Sequence, residues 1–137
     1  MRKFFGAVAL VSCAIGLTPP AIAADMKDAE IKELISGKTI YLDIAGGGSS
    51  TGQTGSAAIY YDANGTALFK TPGGAIWHAP WMIKDNQVCN EWKEATANAC
   101  SRYDKVGDTI TIFNVASGKP RGKIVKTAAG NPEGIKP

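Results

Sequence analysis

The sequence predicts a mainly β protein, a small antiparallel meander or barrel of seven or eight strands with one short N-terminal helix. Three observations carry this. One stretch alone, 25–36, has helical periodicity; from Lys38 onward apolar residues recur with a period of two; and short extended runs follow one another, each reached by a brief turn. No internal repeat and no long linker divides the chain, so a single domain is expected.

The first segment reads as an export signal. Arg2 and Lys3 precede an apolar run, Phe4 to Leu17, that is too short to span a bilayer. Thr18-Pro19-Pro20 and the small-x-small site Ala21-Ile22-Ala23 follow. Residues 1–23 are therefore expected to be a cleaved signal peptide and 24–137 the domain, placing it in the periplasm or outside the cell. Leu10-Val11-Ser12-Cys13 also has the form of a lipoprotein cleavage box, which would anchor the protein through a lipidated Cys13. That reading is the weaker one, because the apolar run continues past Cys13 and the Ala-x-Ala site would go unused.

Asp25 to Ser36 is expected to form the helix, with Asp25 as its cap, Ile31, Leu34 and Ile35 as its apolar stripe, and Gly37 ending it. Ile40, Leu42 and Ile44 then alternate with polar partners as a half-buried strand. Ala57 to Asp62 and Thr66 to Lys70 flank the tight-turn sequence Asp62-Ala63-Asn64-Gly65. Ala75 to Ile83 is extended but contains Pro80, which would break it or push it to a sheet edge. Gln87 to Trp92, Cys100 to Tyr103, Asp108 to Asn114 and Gly122 to Thr127 complete the set, before a Gly/Pro tail.

Charge excludes one class of partner. With Arg2 and Lys3 taken from the 15 basic residues, 13 remain against 12 acidic, a balance that does not suit nucleic acid. The C-terminal part is basic (Lys119, Arg121, Lys123, Lys126 and Lys136 against Glu133), which reads as a solvated edge strand guarded by lysines.

Enzymatic readings fail on inventory. Ser36-Gly37-Lys38-Thr39 ends like a phosphate-binding loop, but Lys32 occupies the position of the first glycine and the order runs from helix into strand. Gly46 to Gly52 is glycine-rich yet leads into no helix; it reads as a mobile hairpin loop that could lid a barrel mouth. His78 is the only histidine, so a two-histidine metal site is impossible within one chain, and no Gly-x-Ser-x-Gly elbow supplies a nucleophile. Glu91 and Glu94 beside Lys93 read as solvated charges. No catalytic residue, metal or cofactor is expected.

Trp77-His78-Ala79-Pro80-Trp81-Met82 is the run best suited to binding. In a strand Trp77, Ala79 and Trp81 face one way and His78, Pro80 and Met82 the other. The tryptophans read first as core; failing that, Trp77, His78, Trp81, Trp92 and Tyr103 are candidates for a ligand pocket or partner surface. A soft copper ion on His78 and Met82 is a remote third reading.

Cys89 and Cys100 are too far apart for a redox C-x-x-C and lack further zinc ligands. In an oxidising compartment they are expected to bond to each other across a hairpin. That pairing sets Val88 opposite Ser101 and Asn86 opposite Tyr103. Val88, Trp92 and Tyr103 then share the buried face, while Gln87, Glu91 and Arg102 share the disulfide's face. A loop of this size stabilises by about 3 kcal/mol through the unfolded chain.

The helix ending in Ser36-Gly37-Lys38-Thr39, the run Tyr61-Asp62-Ala63-Asn64-Gly65-Thr66, Trp81 to Cys89, Cys100-Ser101-Arg102-Tyr103 and Gly107-Asp108-Thr109-Ile110 together give a pattern. It resembles small secreted proteobacterial proteins of domain families of unknown function, in which a tryptophan strand leads into a disulfide-closed hairpin. The resemblance covers most of residues 27–137, implies a periplasmic β domain and carries over no catalytic residue. The expectation is a non-enzymatic exported barrel that binds a small ligand or an envelope partner. The rival expectation is an inhibitor of an envelope hydrolase or protease, inserting the glycine loop or the Lys93 to Ala99 connection.

Overall fold

In the computed structural model, residues 22–95 and 100–137 are described. The expected leader, apart from Ile22 and Ala23, lies outside them, as do Cys13 and residues 96–99 of the connection into Cys100. Ile22 and Ala23 are exposed and belong to no element.

The alternating pattern from Lys38 onward gives eight strands: β2 (Lys38–Ile44), β3 (Gly55–Tyr61), β4 (Thr66–Lys70), β5 (Ile76–Lys84), β6 (Gln87–Asn90), β7 (Cys100–Val106), β8 (Thr109–Asn114) and β9 (Pro120–Ala129). Each pairs antiparallel with the next, and β9 returns to pair with β2, so the sheet closes into an up-and-down barrel. Closure removes the unpaired edges that an open sheet of this length would expose. Before the barrel come β1 (Ala24–Asp25) and α1 (Asp28–Ile35). β1 pairs with Asp104 and Lys105 of β7, the part of that strand beyond the reach of β6.

Inward positions follow the period of two. Ile40, Leu42 and Ile44 of β2, Ile59 and Tyr61 of β3, and Ala67 and Phe69 of β4 are buried, and Val88, Tyr103 and Ile112 complete the wall. α1 plugs the end from which β2 starts; Ile31 and Ile35 are fully buried in the core. Its N-terminus is clasped to the β5–β6 turn: Asn86 donates its backbone N–H to Asp28 Oδ1 (2.6 Å), and Asp28 N–H donates to Asn86 Oδ1 (3.0 Å). That turn is Asp85-Asn86, both with positive φ (54° and 60°), as a two-residue hairpin of the right twist requires.

Several expectations need correction. The helix starts at Asp28 rather than Asp25; Asp25 is taken by β1, and Glu30 accepts the Lys27 N–H instead (2.8 Å). Asn86 does not face Tyr103, because the turn consumes it; the Tyr103 carbonyl accepts from Met26 N–H at 2.8 Å. Pro80 neither breaks β5 nor sits at an edge. It is the last β5 residue paired with β4, opposite Thr66, and pairing with β6 begins only at Trp81, so its missing N–H costs no ladder bond there. β9 is not an edge strand either: it bonds to β2 on one side and β8 on the other. Its exposed Lys123 points out, as does Lys126, whose Nζ lies 4.3 Å from the centre of the Tyr41 ring.

The C-terminal tail also does structural work. Asn131 bonds twice with the main chain of Ile135, through its Nδ2 (2.8 Å) and Oδ1 (3.0 Å). This turns Ile135 onto the outside of the barrel, where it is buried against Ala58 and Leu68.

Candidate ligand cavity at the glycine-loop end

The end of the barrel opposite α1 is closed differently. There β2 runs into the glycine loop, 45–54, and β9 begins at Pro120. The loop lies on β9 through main-chain contact: Gly48 N–H donates to the Pro120 carbonyl (2.9 Å) and Ala45 N–H to the Arg121 carbonyl (3.0 Å). Glycine is required for this approach. A Cβ on Gly48 would stand 2.4 Å from the Lys119 carbonyl oxygen, and one on Gly46 2.4 Å from the Pro120 ring. The loop thus folds in over the mouth rather than projecting, which places Ser49 and Ser50 on the wall of an internal cavity.

The space in that cavity open to the centre of a water-sized sphere is about 50 Å³. One water needs roughly 10–15 Å³ by this measure, so there is room for a group of several atoms. The lining mixes apolar residues, among them Leu42, Ile59, Phe69 and Ile112, with polar ones: Arg121, Tyr61, Tyr103, Asn90 and three serines, Ser49, Ser50 and Ser101.

Arg121 is there because of a bulge. Between β8 and β9, Ile112 pairs with Gly122 and Phe113 pairs with Pro120, leaving Arg121 as the extra residue. A bulge breaks the alternation and re-aims a side chain, and here it turns an arginine expected outside onto the cavity wall. Gly122 makes room beside it, opposite Ile44 and Ile112, where a Cβ would stand 2.3 Å from the Asp43 carbonyl oxygen. The Arg121 guanidinium donates through Nη1 to Ser50 Oγ, tying β9 to the glycine loop. Loss of water pushes its pKa down, while the neighbouring tyrosines act in the opposite sense.

Tyr61 and Tyr103 are both buried, with their hydroxyl oxygens 3.5 Å apart, a long hydrogen bond. Burial drives both toward the neutral phenol: Tyr61 is raised to about 12 and Tyr103 well above the ordinary 10. For Tyr61 the hydrogen bond from its partner and the charge of Arg121 pull weakly the other way. Asn90 is 5% exposed, and its Nδ2 has no hydrogen-bond partner among the described residues. A buried donor left in this state is costly unless a water or another group in the cavity accepts from it.

The residues expected to form a binding surface divide between the two faces of the barrel. Tyr103 and Trp92 line the cavity. Trp77 is half-buried and stacks edge-on against Phe69 (5.7 Å between ring centres), whose other neighbour is Trp92 (5.6 Å). Trp81 is half-buried, 5.4 Å from Tyr61, and donates its Nε1–H to the Asp62 carbonyl (2.9 Å). These two tryptophans brace the wall without reaching the cavity. His78 is exposed on the outer face of β5 with Met82, apart from the other four.

Cys89 and Cys100 are bonded (S–S 2.06 Å) and directly opposed in the β6–β7 ladder, with Val88 opposite Ser101 and Gln87 opposite Arg102 as the pairing required. Their chain neighbours Asn90 and Ser101 lie on the cavity wall, so the bond fixes one side of the mouth. Among the described residues no group of three or more His, Cys, Asp or Glu is placed to hold a metal ion, and no helix is long and apolar enough to cross a membrane.

Sequence reasoning missed Arg121, Tyr61, Asn90 and Ser50. Asn90 carried a signal, for it shares the inward face with Val88 and Trp92 at a spacing of two. Arg121 carried a fainter one in Pro120-Arg121-Gly122, the residue types that accompany a bulge. Comparison of the chain with protein-family models, with curated proteins and with solved structures gives no match.

Proposed function

We propose that this is a non-enzymatic binding protein of the periplasm or the extracellular space that takes a small ligand into the barrel at its glycine-loop end. The observation that carries this reading is the cavity itself, lined by both apolar and polar side chains and holding a buried amide whose Nδ2 has no partner among the described residues. The bonded cysteine pair, a form at home in an oxidising compartment, supports the placement. Among the described residues that line the cavity none is a histidine or a carboxylate, and burial holds Tyr61 and Tyr103 neutral.

The rival reading is an inhibitor that inserts the glycine loop or the Lys93 to Ala99 connection. Bonds between Gly48 and Pro120 and between Ser50 and Arg121 hold part of the glycine loop against β9, which disfavours insertion by those residues; residues 96–99 of the connection lie outside those described.

Trp92 supplies the test. Its indole lines the cavity, so a bound ligand changes its emission, and Trp92→Phe removes that change while Trp77 and Trp81 remain. Titration of the disulfide-bonded protein with small polar and amphiphilic metabolites should give saturable quenching or a shift. A panel with no Trp92-dependent response and no rise in melting temperature overturns the proposal.

A further inference from the structure

We infer that the ligand is a short-chain monocarboxylate, its carboxylate held among Arg121, Asn90 Nδ2 and the Tyr61–Tyr103 hydroxyls, with its alkyl end against Leu42, Ile59, Phe69 and Ile112. This rests on the binding proposal above and specifies the class of molecule bound. Three observations combine to carry it.

The polar lining is biased toward donors. Asn90 offers an N–H that nothing among the described residues accepts. Tyr61 and Tyr103 share one long bond between two hydroxyls, which leaves one O–H proton uncommitted. Arg121 contributes a cation on the same wall, and no carboxylate side chain lines the cavity. Donors together with a cation, in a cavity only partly open to solvent, favour an anionic acceptor over a neutral one.

Size sets the second limit. Room for about 50 Å³ of water-sized centres corresponds to roughly three to five non-hydrogen atoms, given 10–15 Å³ for one water. Formate, acetate and propionate fall in this range; a sugar or a nucleotide does not.

The third is the mixed lining. Sulfate or phosphate would bring charged oxygens against Leu42, Ile59, Phe69 and Ile112, which offer them no hydrogen bond. A short carboxylate has an apolar end to offer those residues and a polar end for the donors. A ligand of so few atoms cannot bind tightly: the ceiling per atom for very small ligands puts dissociation constants no tighter than about 3 µM.

The test is a titration of the disulfide-bonded protein with formate, acetate, propionate, butyrate and hexanoate, beside propionamide, propanol, chloride and sulfate. Nuclear magnetic resonance follows the Asn90 side-chain amide and the Trp92 indole N–H. Saturable shifts of both signals are expected for acetate or propionate, with hexanoate at least tenfold weaker and propionamide at least tenfold weaker. Asn90→Leu and Arg121→Lys should each weaken propionate at least tenfold; the lysine keeps the charge and loses the planar fork. Asn90→Leu keeps the test decisive if the Arg121 variant fails to fold. Equal binding of propionamide and propionate at these resonances overturns the anion assignment while the binding proposal stands. Equal binding of sulfate or chloride overturns the carboxylate assignment. No shift of either resonance with any compound overturns both.

Discussion

Replacing Asn90 with leucine should make the protein more stable, although polar-to-apolar changes at a functional wall are usually judged by what they disrupt. Asn90 is 5% exposed and sits on the inward face of β6, and its Nδ2 lacks a hydrogen-bond partner among the described residues. An unsatisfied buried donor costs about 1–3 kcal/mol, of which water in the adjoining cavity can return a part. Leucine removes that donor, adds about 0.8 kcal/mol for each further buried methyl or methylene, and suits a strand better than asparagine. Overpacking would ordinarily cost about 1–3 kcal/mol, but the two methyls stand where the amide oxygen and nitrogen stood, and the adjoining space of about 50 Å³ accommodates their larger size. The net expectation is a gain of about 1–2 kcal/mol. For a chain of this length that is a rise in melting temperature of roughly 4–10 °C. Urea unfolding followed by far-ultraviolet circular dichroism measures it, with the midpoint moving up at unchanged slope. A lower midpoint refutes the reasoning, since it would mean that the Asn90 amide is needed by the empty barrel rather than reserved for a ligand. The same variant should lose binding, the familiar exchange of function against stability.

The other predictions concern the seam, the staple, the lid and the tyrosines. Gly122→Ala should cost about 3 kcal/mol, because its Cβ would meet the Asp43 carbonyl at 2.3 Å where only backbone could yield; Gly65→Ala, with open space and a φ of +97°, should cost about 1 kcal/mol, and equal losses would refute the seam argument. Reduction of Cys89–Cys100 should add two mass units and lower stability by about 3 kcal/mol, measured by intact mass and denaturant midpoint; a free thiol without reductant would contradict the bond. Gly48→Ala should unseat the glycine loop without unfolding the barrel. Hydrogen exchange at Gly48 and Ala45 should then accelerate while Ile40 and Ile59 stay protected. Tyr61 keeps its proton to about pH 12 when folded but only to about 10 when unfolded, so its stabilising contribution is complete below pH 10. It is lost as pH rises toward 12, about 2–3 kcal/mol in all, and Tyr103 adds to the loss in the same sense. Ultraviolet titration should show the two buried phenols ionising only with unfolding; their early ionisation in the folded protein would refute the burial argument.

How far the molecule was legible in its sequence depended on whether a feature is local. The alternation in Thr39 to Ile44, the turn at Asp62 to Gly65 and the opposition of Cys89 and Cys100 are set by neighbouring residues and appear where the pattern put them. The helix start was not legible, because Asp25 is recruited by Asp104 of β7, far along the chain. Pro80 misled for the same reason: its tolerance comes from β6 ending at Asn90, not from its own strand. The cavity was least legible of all. Strict alternation from Gly122 and Ile124 puts Arg121 outside, and only the two-against-one pairing of β8 with β9 turns it in. The aromatic run 77–82 drew attention by composition, yet Trp77 and Trp81 support the wall, whereas the polar residues inside are scattered over β3, β6, β7, β9 and the glycine loop.

The two barrel ends differ in kind, and the difference bears on how a ligand would reach the cavity. At the α1 end, closure is by apolar burial, with Ile31 and Ile35 fully enclosed and the helix clasped by Asp28 and Asn86. Opening there would expose core surface and cost a large part of the folding free energy. At the other end, closure is by a glycine loop held through a few main-chain bonds and side-chain bonds, among them Asn114 Nδ2 to the Gly48 carbonyl (3.4 Å) and Ser50 to Arg121. The latter bond joins the lid to the residue we assign to the ligand's carboxylate. The covalent tie between β6 and β7 stiffens the opposite side of the same mouth, so strands need not part for the cavity to open. An incoming anion that draws the Arg121 guanidinium toward itself competes with Ser50, which couples occupancy to the seating of the loop. Binding would then be read outside the barrel as the position of residues 46–52, whose glycines let this part of the mouth move without disturbing the core.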